Sequence, residues 1–285
     1  MPSPIGPILV VGATGKQGGA VIRSLLARPD APAIRALTRG KASPQARELQ
    51  SRGVELFEGT LSDVASLKKA LAGVSAAFLV TVIPRKGDVA EDQQGHNFIE
   101  AARATNLPFL VYTSVADVTP TCGVPHFETK AKVEAELKES GSRHAVVAPA
   151  AFYDNFPRRS SWMSFLGMGI FEAGLRGKSL QMVATDDIGD VAAEMLVKPE
   201  DFAGRHIPLA GDKLTMSQVR DTYARVEQRT VRKAWLPYWV LHALPEDFRL
   251  MFRFFHDKGM SVQVPAVRKE FPGMRSFEQY LREAK

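Results

Sequence analysis

The stretch that most constrains this 285-residue chain is Ile8-Leu9-Val10-Val11-Gly12-Ala13-Thr14-Gly15-Lys16-Gln17-Gly18. Four apolar, mostly β-branched residues predict a buried parallel strand, and glycines spaced i, i+3, i+6 follow at once. Residues 20–26 (AVIRSLL) then place apolar side chains at helical spacing. Strand, glycine turn and helix in that order form a cradle for a dinucleotide. Gly12 allows the tight turn, Gly15 lets a pyrophosphate approach the backbone, and Gly18 lets the helix lie close to the sheet. The helix N-terminus adds N–H groups and partial positive charge. Gly12, Ala13, Thr14, Gly15, Lys16, Gln17 and Gly18 are therefore the predicted phosphate-binding residues.

About twenty residues on, a second strand should end beside the adenosine ribose. Residues 33–38 (AIRALT) read as that strand, which stops at Arg39 with Lys41 two positions later. A carboxylate there would take the ribose hydroxyls of NAD. A guanidinium instead fits the 2′-phosphate of NADP, which it binds bidentately. The expected cofactor is NADP(H), held at this end by Arg39 and Lys41.

The rhythm continues with a helix at 44–52, a strand at 54–59, a helix from 64 capped by Ser62 or Asp63, a strand at 76–81, a helix at 92–105 and a strand at 109–114. Alternation of this kind predicts an α/β fold, a doubly wound parallel sheet with right-handed crossovers. Ligands of such sheets lie beyond the strands' carboxyl ends. Leu61 and Ser62, then Val80, Thr81 and Val82, join the expected cofactor site on that ground. Beyond Pro149 the rhythm breaks into aromatic, glycine-punctuated sequence. A Rossmann domain is expected over 1–150 with a return element at about 185–198, and a smaller substrate-side or partner lobe over 151–285.

Composition narrows the function classes. Hydrophobic residues at 45% and charged residues at 24% are ordinary for a globular chain. No stretch approaches the ~18 apolar residues that span a bilayer, and the first residues lack the pattern of a signal peptide. The single Cys122 excludes an intrachain disulfide and suggests a reducing, cytoplasmic setting. The net charge of +6 is concentrated at 220–285, where 13 Lys and Arg face 8 Asp and Glu. These charges are interspersed and accompany no nucleic-acid-binding signature, so direct nucleic-acid binding is not expected. No metal spacing occurs either.

Several stretches together resemble the NmrA-like family, atypical members of the short-chain dehydrogenase/reductase superfamily. They are 12–19 (GATGKQGG), 35–39 (RALTR), 111–115 (VYTSV), 126–130 (HFETK), 149–156 (PAAFYDNF) and 187–192 (DIGDVA), while 251–255 (MFRFF) is similar to a late helix of the NADPH-sensor subgroup. The resemblance is nearest to the sensor-like and quinone-reductase-like members. It extends the expected cofactor contacts to Ala151, Phe152 and Tyr153. It also implies a catalytic pair, because the superfamily reduces carbonyls with Tyr-x-x-x-Lys on a helix and a Ser or Thr at the end of the fifth strand. Here the pair reads His126-x-x-x-Lys130, with i, i+4 spacing on one helix face. Lys130 would hold the nicotinamide ribose and His126 would donate the proton. The sequence departs from the pattern at three points. No tyrosine stands at 126, the superfamily's Ser or Thr falls on or next to Val115 with Ser114 one residue early, and Gln93 stands where the sensor subgroup has a lysine.

Two functions follow from the resemblance. One is an NADPH-dependent oxidoreductase acting on a small carbonyl or quinone. The other is a non-catalytic NADPH/NADP redox sensor acting through a regulatory protein partner, with a homodimer compatible with either. Trp235, Tyr238, Trp239, Phe248, Phe252, Phe254 and Phe255 make the tail aromatic; they pack the lobe, line a pocket for a flat substrate, or present a partner face.

Overall fold

The computed structural model describes residues 6–84, 88–158, 162–231 and 235–283, the side chains of 162–165 apart. Most of the N-terminal stretch that carries no signal-peptide pattern lies outside these residues. In chain order the elements are β1 (Ile8–Val10), α1 (Lys16–Leu26), β2 (Ile34–Thr38), α2 (Pro44–Ser51), β3 (Glu55–Glu58), α3 (Val64–Leu71), β4 (Ala76–Leu79), α4 (Glu91–Ala104), β5 (Leu110–Thr113), α5 (Pro125–Glu139) and β6 (His144–Pro149). There follow β7 (Ala151–Phe152), α6 (Trp162–Leu175), β8 (Leu180–Val183), α7 (Thr185–Val197), α8 (Pro199–Phe202), β9 (His206–Leu209), β10 (Asp212–Leu214), α9 (Met216–Glu227), α10 (Glu246–Asp257), α11 (Val264–Glu270) and α12 (Phe277–Arg282).

The chain divides into two units: 1–114, 129–148 and 188–207 form the first, and 115–128, 149–187 and 208–285 the second. The main sheet has the order β3-β2-β1-β4-β5-β6-β9. Strands β1 to β6 pair in parallel throughout. This is the doubly wound α/β fold that the alternation predicts, with the order reversing between β1 and β4. Leu9, Val11, Leu37, Leu79, Phe98, Tyr112 and Leu137 belong to one core cluster on the first unit's sheet. Two glycines bring helices together there. A Cβ on Gly189 of α7 would lie 2.5 Å from the backbone of Ala20 on α1, and one on Gly95 of α4 would lie 2.4 Å from Val133 on α5. The return element thus packs in close contact with α1.

The unit boundaries differ from the expected ones at two places. Residues 115–128 join the second unit, because Phe127 packs on Phe254 and Phe255 of α10. The return segment also runs on to 207, because β9 adds a strand beside β6.

The second unit is built on the small sheet β10-β8-β7 and on aromatic packing. Tyr153, Phe277 and Tyr280 meet as rings, as do Phe156, Phe171 and Phe252. Side-chain hydrogen bonds between distant segments hold it. Gln181 donates to the Val262 carbonyl at 2.7 Å and accepts from the Val262 N–H at 3.0 Å. Thr185 donates through N–H and hydroxyl to Asp154. Asp187, 1% exposed, holds the Arg275 guanidinium and accepts its backbone N–H at 3.0 Å. The tail aromatics divide in two: Phe252, Phe254 and Phe255 are core, whereas Trp235 and Trp239 are 79% and 67% exposed and Tyr238 and Phe248 also face solvent.

Candidate functional site

Parallel strands β1 to β5 deliver their carboxyl ends to one edge of the first unit, and the loops after them carry most of the predicted site residues. After β1, Gly12 has φ +67, a region that suits glycine. The Gly15 N–H donates to the Gly12 carbonyl at 2.8 Å, closing the turn. A Cβ at Gly18 would lie 2.4 Å from the Gly12 oxygen, so only glycine fits there. Gly15 is the N-cap of α1 in extended conformation and brings no side chain to cap the helix. Thr14, Gly15 and Lys16 are exposed, Ala13 is buried, and Val80 fills the space beside Gly12. Gln17 reaches across the edge, its amide oxygen accepting from the Thr113 hydroxyl at 2.7 Å.

After β2, Arg39 and Lys41 are exposed, with Arg39 3.9 Å from Asp88. Arg35 on the same strand is spent structurally on Glu55 and on the carbonyls of Ala70 and Ala72. After β3, Asp63 rather than Ser62 caps α3, accepting from Ala65 and Ser66 N–H. Ser62 is free of that duty and accepts from Val89 N–H at 3.3 Å.

The N-terminal half of α4 fixes these loops through residues that the periodicity does not single out. Glu91, Gln94 and Asn97 recur every third residue and are buried. Asn97 donates to the Leu61 carbonyl at 2.8 Å. Gln94 accepts from the Val82 N–H and donates to the Val82 carbonyl, at 3.1 and 3.0 Å. Glu91 accepts from the hydroxyls of Thr81 and Thr129 and pairs with Lys130 at 2.9 Å. Gln93 donates to Asn97.

Lys130 lies four residues after His126 on α5, but the two engage different groups. Its ammonium faces Glu91, the Thr81 hydroxyl at 3.3 Å and the Thr81 carbonyl at 3.4 Å, so three acceptors surround its three donors. Burial disfavours the charged form, yet Tyr112 and the Glu91 carboxylate outweigh it and raise Lys130 above its ordinary value. Burial likewise pushes the Tyr112 phenol up, against the pull of Lys130, and its hydroxyl lies 3.3 Å from that of Thr81. The ribose contact expected of Lys130 therefore competes with this built ion pair. Lys130 fixes the end of β4 in place.

His126 belongs with the second unit, where its ring contacts Asp247 and the edge of Phe127. Ser114, after β5, is buried, and among the described residues its hydroxyl has no hydrogen-bond partner. Ala151 and Phe152 are half-buried in β7. The Tyr153 side chain, in contrast to its expected role, is wholly buried against Phe277 and Tyr280 and donates to the Arg275 carbonyl. Only its backbone is left for a ligand. Among the described residues no group of His, Cys, Asp and Glu has the arrangement of a metal site, and no helix is long and apolar enough to cross a membrane.

Known proteins are similar to this chain in sequence or in fold. Quinone oxidoreductase 2 of Escherichia coli (strain K12) is 30% identical over 217 residues, covering 74% of this chain and 71% of that protein. The triphenylmethane reductase of Citrobacter sp., solved as a complex with NADP(H), has a TM-score of 0.79 at 21% identity, over 98% of this chain and 100% of that one. NmrA, a negative transcriptional regulator solved in complex with NADP, has a TM-score of 0.76 at 23% identity, over 98% and 95%. These two likenesses concern the fold. The NmrA-like family itself matches residues 6–281, and the chain belongs to that family.

Proposed function

We propose that the chain binds NADP(H) at the carboxyl edge of its first unit and reduces a small carbonyl or quinone. The observation that carries the reading is the glycine loop: a left-handed Gly12, a Gly18 that admits no side chain, and an exposed Gly15 at the start of α1. That surface suits a pyrophosphate, because backbone N–H groups and the helix dipole favour negative charge. Arg39 and Lys41 at the end of β2 suit the 2′-phosphate. The names of the E. coli and Citrobacter relatives support the reaction class.

When bound, the reduced nicotinamide supplies a hydride. The chain's own part is orientation and proton delivery. Gln94, Asn97 and Glu91 hold the loops after β3 and β4, and Lys130 holds Thr81. A carbonyl that takes hydride at carbon needs a proton at oxygen. His126 delivers it and recovers one from water. A quinone reduced to the hydroquinone can take its protons from water, which makes His126 dispensable for that acceptor.

The test is NADPH consumption with a panel of aldehydes, ketones and quinones. Turnover is expected, and His126→Ala should lower it roughly 10²–10⁴-fold for carbonyls while NADPH affinity holds. Undiminished carbonyl turnover in that variant would reject the acid role. Absence of turnover across the panel would favour the second reading, a dinucleotide-dependent regulator with a protein partner, which the likeness to NADP-bound NmrA supports.

A further inference from the structure

We infer that Asp247 is a positioning residue for His126, holding it as a His–Asp pair that keeps Nδ1 protonated and leaves Nε2 as the nitrogen that exchanges a proton. The catalytic consequence rests on the oxidoreductase reading; the pair itself does not. Asp247 lies in the first turn of α10, 121 positions from His126. One carboxylate oxygen, Oδ1, accepts the His126 backbone N–H at 3.3 Å. The other, Oδ2, lies in ion-pair contact with the ring nitrogen Nδ1. One carboxylate thus accepts a hydrogen bond from the backbone of His126 and touches its ring as an ion-pair contact.

The surroundings reinforce that contact. The His126 ring meets the Phe127 ring edge-on at 4.5 Å, and Phe127 packs against Phe254 and Phe255 at 5.6 and 6.3 Å. Helix α10 therefore supplies both the carboxylate and the apolar bed. A carboxylate oxygen repels a ring lone pair and attracts an N–H, so the contact selects the form protonated on Nδ1. Nε2 is then the nitrogen that takes and gives the proton. A carboxylate in the first turn of α10 also stabilises the helix through its dipole. A purely structural role is therefore the competing account, and the test must separate the two.

The decisive readout is ¹⁵N NMR of the histidine rings in the full-length protein. The chain has 6 histidines, and His126→Ala identifies the His126 signals by their loss. The expected wild-type signature is a proton on Nδ1 of His126. In Asp247→Ala, and in Asp247→Asn, which keeps the side chain's shape if the alanine variant does not fold, the Nδ1–H population should fall. With a carbonyl acceptor, kcat should drop on the order of 10²-fold while KM and NADPH affinity hold. His126→Ala should cost little more in that background. An unchanged ring signature in both variants would overturn the pair. So would unchanged kcat in a protein that does reduce carbonyls. A wild type with no turnover would instead strike the oxidoreductase reading, and the NMR result would still decide the pair.

Discussion

The two units hold their functional residues by different physical means. In the first, backbone shapes the glycine loop: parallel strands end at one edge, Gly12 turns the chain, and Gly18 lets α1 approach the end of β1, while side chains of α4 and α5 hold the loops after β3 and β4. In the second, side chains far apart in sequence hold the residues in place. Asp187 holds Arg275 across 88 positions, Asp117 holds Ser261 across 144, and Asp247 holds His126 across 121. A lesion in the first unit's glycine loop should therefore remove ligand binding at little cost to the fold. A lesion in the second should remove stability or misplace a side chain and leave the dinucleotide surface intact.

The largest expected effect lies in the glycine loop. Gly15 has extended backbone, and a Cβ there would lie 3.2 Å from the nearest oxygen, tight but tolerable. Gly15→Val should therefore fold, yet its branched side chain would occupy the ground on which the proposed phosphate site rests. NADPH binding should vanish in calorimetry while the melting temperature stays near that of the wild type. Wild-type affinity in this variant would show that the loop is not the phosphate site.

Next in size is Asp187→Ala. Removing one member of a buried pair leaves the other charge poorly compensated, at about 3–5 kcal/mol; Arg275 keeps Glu283 as a partner, which favours the lower end. Denaturant unfolding should show the loss, with NADPH affinity unchanged below the transition. A loss under about 1 kcal/mol, a typical single hydrogen bond, would mean that side-chain pairing is not what holds the second unit.

The same contrast decides what could be read from the sequence. The alternation of strands and helices, the glycine turn and the end of β2 at Thr38 are local patterns, legible because they repeat every two or three and a half residues or sit at fixed spacing. The α4 residues Glu91, Gln94 and Asn97 escaped because polar side chains at helical spacing look like a solvent face. They are buried against strand ends that only the folded sheet brings near. Asp247 escaped for a related reason, since an acid in a helix's first turn is ordinary and its partner is remote. Tyr153 sat in a family motif, but aromatic packing with Phe277 and Tyr280 claims its side chain. The DIGDVA stretch is legible as a family motif. Its first residue also anchors the C-terminal segment through Arg275.

The central claim is that the first unit's edge is a dinucleotide site tuned to NADP(H) by the cation after β2. Arg39 is half-exposed and only 3.9 Å from Asp88, so truncating it should leave stability unchanged. A charge-assisted contact to the 2′-phosphate contributes about 1.5–3 kcal/mol, or roughly a ten- to hundred-fold change in affinity. The most direct measurement is calorimetric titration of NADPH and NADH into the wild type and Arg39→Ala. The account predicts that the wild type prefers NADPH and that Arg39→Ala loses roughly ten- to hundred-fold for NADPH alone, with NADH nearly unaffected. Equal wild-type affinity for the two dinucleotides would contradict it.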